Sequence, residues 1–246
     1  MANALAACRS DKGSVRADST AESTGRAGVS ATTSARNGGT ASATASTARR
    51  HRVILLGTSL TAGLGLDPDK AYPALLQHKA DSAGFSLTII NAGLSGETSA
   101  GARRRASWVL DQPADVIVLE VGANDGLRGV DPDSTQENIS ALVKAVQTQQ
   151  PNATVLLVQM EAPTNLGRDY TTKFHAAYTT VARESNITLL PFLLLGVAGD
   201  ARLNQADGIH PNIEGSKRVA ETMWSGLLPT LSALQKPTMK GRVDRP

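Results

Sequence analysis

The sequence predicts an α/β protein of three layers, a five-stranded parallel sheet between two layers of helices. Three observations predict it. Short apolar runs alternate five times with helical stretches. Those runs are short and mostly apolar rather than polar/apolar alternations, as strands covered on both faces tend to be. The residues that break the pattern (a serine, a glycine, an asparagine, a histidine) fall beyond the runs, on the edge where open α/β sheets hold ligands.

The first strand, Val53-Ile54-Leu55-Leu56, stops at Gly57 and leads into Thr58-Ser59-Leu60-Thr61-Ala62-Gly63, a small-residue turn with a hydroxyl at its start. Residues 72–83 follow as a helix with Gly84 as its stop. The second strand covers 86–92, and a Gly-rich loop, Gly93 to Thr98, leads into a helical stretch through 103–110. The third strand, 115–121, ends at Gly122-Ala123-Asn124-Asp125-Gly126. A helix over 134–148 carries Ser134 and Glu137 at capping-box spacing. The fourth strand covers 154–159, the next helix 169–184 and the fifth strand 186–191. A loop reaches Asp207-Gly208-Ile209-His210-Pro211, and a last helix runs over 213–228, with Trp224 against the sheet. The folded domain is thus expected over 52–232, followed by a polar tail, 233–246.

The chain has 246 residues, 41% of them hydrophobic and only 3% aromatic, so its core must rest on Leu, Val, Ile and Ala. Residues 1–51 hold seven Lys/Arg against three acids, and the rest 18 against 19. The basic excess belongs to the tail, and the domain does not read as a nucleic-acid binder. Residues 10–48 contain no Leu, Ile, Met, Phe, Tyr or Trp. Such a segment is expected to be a disordered tether, because it cannot offset an ordering cost of about 1–2 kcal/mol per residue. Cys8 is the single cysteine. Leu5-Ala6-Ala7-Cys8 resembles the lipobox of bacterial lipoproteins, although only seven residues precede it. The pairing of a tether with this cysteine suggests export and a membrane anchor. A native precursor found wholly in the cytosol with Cys8 unmodified would remove that idea. No cofactor motif and no metal-ligand spacing is visible.

Ser59 at a strand end suits a nucleophile, provided a base and hydrogen-bond donors for a developing oxyanion converge on it. The same turn could instead cradle a phosphate, though it lacks a P-loop lysine. Four blocks extend the first reading: Gly57-Thr58-Ser59-Leu60, Asn91-Ala92-Gly93-Leu94-Ser95-Gly96-Glu97-Thr98, Gly122-Ala123-Asn124-Asp125-Gly126, and Asp207-Gly208-Ile209-His210-Pro211. With them the chain resembles the SGNH hydrolases, or GDSL esterases and lipases, over about residues 52–230. It looks nearest their bacterial thioesterase I/lysophospholipase L1 and arylesterase branch.

The resemblance implies a flavodoxin-like SGNH fold and a serine esterase without cofactor. In it Ser59 is the nucleophile, His210 the base and Asp207 its orienting acid. The N–H groups of Ser59 and Gly96 and the amide of Asn124 form the oxyanion hole. It also implies small ester or lipid substrates: short- to medium-chain acyl or aryl esters, lysophospholipids or acyl thioesters. A carbohydrate O-deacetylase would share these residues. Thr58 departs from the family, which usually has Asp there. The loops 126–131 and 162–170 are expected to shape the substrate site through Gly126, Leu127, Arg128, Pro163 and Leu166. Their few large apolar groups predict shorter acyl chains. His51, His78 and the run Arg103-Arg104-Arg105 read as solvated, and His175 as packed or solvated.

Overall fold

The sheet is built on β1 (His51–Gly57), flanked by β2 (Leu87–Gly93) on one side and β3 (Val116–Glu120) on the other. β4 (Thr154–Val158) and β5 (Thr188–Leu190) continue from β3, giving the order β2-β1-β3-β4-β5 with every pair parallel. This computed structural model describes residues 49–235, so the expectations for the tail, Cys8 included, and for 236–246 lie outside the described residues. Val53 to Leu56 and Val116 to Leu119 are buried on both faces. Burying each such side chain is worth roughly 1.5–3 kcal/mol.

Helices supply the two covers. On one face α2 (Tyr72–Ser82) packs on α7 (Ile213–Gln235). On the other, α3 (Ser99–Val109) packs on α5 (Pro132–Gln149), and α5 on α6 (Arg168–Glu184). Two short helices stand at strand ends, α1 (Ser59–Ala62) after β1 and α4 (Ala123–Arg128) after β3. From β1 the chain goes first to β2 on one side and then to β3 on the other. This reversal opens a crevice at the C-terminal ends of β1 and β3. Ser59 and Asn124 both sit there.

Several local expectations are corrected. α5 starts at Pro132 rather than 134. Its cap is Asp131, whose carboxylate accepts from Ser134 N at 3.4 Å and Ser134 Oγ at 3.2 Å, so Ser134 and Glu137 form no capping box. α7 runs through Pro229 to Gln235, past both the expected helix end and the expected domain end. Leu227 and Leu231 are buried on either side of the proline, and this packing offsets the one backbone bond it removes. Trp224 meets Phe85 edge to face, with ring centroids 5.7 Å apart, and stays half-buried.

Candidate active site

β1 delivers Ser59 into the first turn of α1, where backbone N–H groups have no intrahelical partner. Ser59 Oγ lies 2.9 Å from His210 Nε2, and His210 Nδ1 lies 2.7 Å from Asp207 Oδ2. The other oxygen of Asp207 accepts the backbone N–H of Ile209 at 2.9 Å and of His210 at 3.0 Å. The His210 N–H, then the imidazole, then the Ile209 N–H hold the Asp207 carboxyl down at about 2. An ionised carboxylate can only accept, so Nδ1 must carry the imidazole proton. Nε2 is then free to accept from the serine.

The loop bearing Asp207 and His210 is closed at its base by an antiparallel bridge, Asn204 to Pro211. Gln205 donates to Leu64 O at 2.7 Å and Pro211 O at 3.0 Å, tying that loop to the turn after α1. This is how side chains 151 positions apart keep hydrogen-bond distance.

Gly96 has φ of +78°, a conformation that glycine adopts without strain. Asn124 Nδ2 donates to Glu97 O at 3.0 Å, which uses one of its two hydrogens and fixes the amide. The neighbour Asp125, buried, accepts from the Ser99 N–H at 2.8 Å and Ser99 Oγ at 2.5 Å, joining α4 to the start of α3.

Beneath the serine turn lies a carboxylate that the sequence reading missed. Glu120 is completely buried and accepts from the Thr58 N–H at 2.8 Å, Thr58 Oγ1 at 3.0 Å and Thr61 Oγ1 at 2.8 Å. Burial pushes its pKa up to about 7 despite those donors. A Cβ at Gly57 would collide with Thr61 Oγ1 and Glu120, so glycine makes the close approach possible. Thr58 is therefore one of the donors that solvate Glu120. In Thr58→Asp a second carboxylate would face the first, and one of them must stay protonated. We expect that variant to lose more thermal stability at pH 8 than at pH 5. A melting temperature equal to wild type at both pH values would contradict this.

A cavity of about 510 Å³ opens beside Ser59 and Asn124. Leu60, Leu127, Met160, Pro163, Phe192 and Ile209 supply much of its apolar wall. Of the expected substrate-loop residues, Leu127 and Pro163 line it, whereas Gly126, Arg128 and Leu166 do not. Gly126 faces Phe174 and Ala162 too closely to admit a side chain without adjustment, and Leu166 lies toward Gly129. Arg128 instead donates to Gly96 O at 3.0 Å. Two other expectations change. His51 sits 3.2 Å from Asp115 and is only partly exposed. Arg105 is not solvated: its guanidinium grips Glu97, while Arg103 and Arg104 are exposed. His78 is exposed, and exposed His175 pairs with Glu161 at 2.6 Å.

Residues 55–218 match the GDSL-like lipase/acylhydrolase family. The chain belongs to that family. It is 37% identical over 186 residues to the esterase TesA of Pseudomonas aeruginosa, covering 75% of this chain and 91% of that one. It is likewise 37% identical over 182 residues to the thioesterase 1/protease 1/lysophospholipase L1 of Escherichia coli, covering 73% and 85%. Among solved structures it resembles the psychrotrophic esterase EstA from Pseudoalteromonas, inhibited by monoethylphosphonate. That likeness has a TM-score of 0.70 and 35% identity, covering 74% of this chain and 99% of that one. These similarities agree with the five-stranded parallel α/β fold.

Glu120 and Arg105 were both open to discovery from sequence. Glu120 is a carboxylate closing an otherwise apolar buried strand, Val116–Glu120, and such placement points to a built site. Arg105 falls at helical spacing with Ala102, Ala106 and Val109, on the inward stripe of α3.

Proposed function

We propose that this carboxylic ester hydrolase works through an acyl-Ser59 intermediate, with His210 moving the proton and Asp207 holding the imidazole. The observation that carries the reading is the unbroken chain Ser59 Oγ to His210 Nε2 and His210 Nδ1 to Asp207 Oδ2. Ser59 Oγ attacks the ester carbonyl as Nε2 takes its proton. The Ser59 and Gly96 N–H groups and Asn124 Nδ2 receive the negative charge on the former carbonyl oxygen. Each such donor is worth about 3–4 kcal/mol in enzymes where one has been removed. The imidazolium protonates the leaving alkoxide. Water then attacks the acyl-serine by the same proton route, releasing the acid. Asp207, ionised down to about pH 2, stabilises the imidazolium throughout.

The largely apolar cavity wall supports acyl and aryl esters over a carbohydrate ester. It also weighs against a phosphate-binding module, since the one ionisable side chain lining the cavity among the described residues is Glu161, an acid. We favour short- to medium-chain esters. A p-nitrophenyl ester series is expected to peak below C12, and a peak at C12 or longer would contradict this. Lysophospholipids and acyl thioesters of comparable chain length belong in the same assay.

A further inference from the structure

We propose that Arg105 is a positioning residue that holds the oxyanion hole in register with the nucleophile; this rests on the donor set just proposed. Arg105 stands on α3, away from the cavity, and its side chain is only 18% exposed against 5% for its partner Glu97. Its Nε donates to Glu97 Oε1 at 2.6 Å and its Nη2 to Glu97 Oε2 at 2.7 Å, a two-point grip on one carboxylate. The same Nη2 reaches Ala92 O at 2.8 Å and Gly57 O at 3.3 Å. One guanidinium thus touches the ends of β1 and β2 and the loop between β2 and α3.

The atoms it holds are those that aim the three donors. Gly57 lies two residues before Ser59. Glu97 follows Gly96 directly, and its carbonyl accepts from Asn124 Nδ2 at 3.0 Å. Glu97 is therefore gripped through its side chain by Arg105 and through its backbone by Asn124. The space for this clamp is made by Gly101, where a Cβ would come within 2.9 Å of Glu97 Cγ. A buried ion pair is a poor source of net stability, because desolvation consumes much of its attraction. Its planar, multi-point geometry is better suited to fixing direction, and lysine cannot reproduce it.

The test uses the full chain as Arg105→Lys, Arg105→Gln and Glu97→Gln, with exposed Arg104→Gln as the control. Competent sites are counted by end-point fluorophosphonate labelling, and p-nitrophenyl butyrate turnover is expressed per labelled site. We expect kcat per site to fall about 10- to 100-fold in both Arg105 variants, the scale for misplacement of about 1 Å, with KM within about threefold, because the oxyanion donors act on the transition state more than on bound substrate. The inhibition constant of a trifluoromethyl ketone, which mimics the tetrahedral adduct, should rise in proportion to the loss of kcat/KM. Arg104→Gln should match wild type.

Unchanged kcat per site with only a lower melting temperature would overturn the proposal and make Arg105 a strut. If the Arg105 variants do not fold, Glu97→Gln decides, because it keeps the side-chain shape and the carbonyl. It should show the same parallel loss in milder form, and wild-type kcat and inhibition there would overturn the proposal. Asn124→Ala separates the two readings. If it loses no turnover, the oxyanion assignment has failed; if it loses turnover while the clamp variants do not, this inference alone has failed.

Discussion

Ser59→Ala is expected to lower kcat on p-nitrophenyl esters by about 10⁶-fold, the scale seen when a serine nucleophile is removed. Without Oγ no acyl-enzyme can form, and His210 has no hydroxyl to deprotonate. Only carbonyl polarisation and substrate positioning remain. KM should change little, since the cavity wall and Asn124 are intact. Stability should also change little. The bond that is lost is to His210, which is only partly buried and lies outside the apolar core. The comparison is steady-state kinetics beside thermal unfolding of the same preparations. Turnover within tenfold of wild type, from folded protein, would place the hydrolysis elsewhere.

The second large effect concerns Glu120 and is one of stability. Its folded pKa of about 7 exceeds the ordinary 4.5, and desolvation is the main cause. The folded state therefore binds more protons than the unfolded state between these values, and stability must fall as pH rises. The Glu120 contribution is full below about pH 4.5, declines through about 7 and is level above. A shift of that size corresponds to about 3 kcal/mol. Glu120→Gln keeps the shape, and its amide can still meet Thr58 and Thr61. We expect it to flatten this decline and to be the more stable protein at pH 8. Glu120→Ala removes the acceptor of the Thr58 N–H and both hydroxyls and leaves a void as well, at a cost of about 3–5 kcal/mol. Urea unfolding at pH 5 and pH 8 reads all three proteins. A glutamine variant with the wild-type slope would show that Glu120 does not carry the pH dependence.

Much of the fold was legible because its central strands, β1, β3 and β4, are buried on both faces. Nothing but a continuous apolar run fits such a position, and Val53–Leu56 and Val116–Leu119 declare themselves. The candidate site was legible because its proposed parts sit beyond strand ends, where Ser59, Gly96 and Asn124 follow those runs. His210 and Asp207 were legible through their place in one short turn. What was not read depends on direction rather than type. Arg103, Arg104 and Arg105 are chemically alike, and only the rotation of α3 turns the third inward. Asp131 and Ser134 are both good caps, and which one serves is set by where Pro132 starts the helix. The proline at 229 normally ends a helix, and packing of Leu227 and Leu231 overrides it. Thr58 looked like a lost charge in the serine turn. In the structure it supplies the hydroxyl and N–H that a buried Glu120 needs.

The most direct test of the acyl-serine mechanism is intact-mass and peptide mapping after reaction with a fluorophosphonate. We expect one adduct per folded chain, on Ser59, formed slowly or not at all in His210→Ala and absent from unfolded protein. An adduct on another residue, or folded active enzyme that takes none, would contradict it.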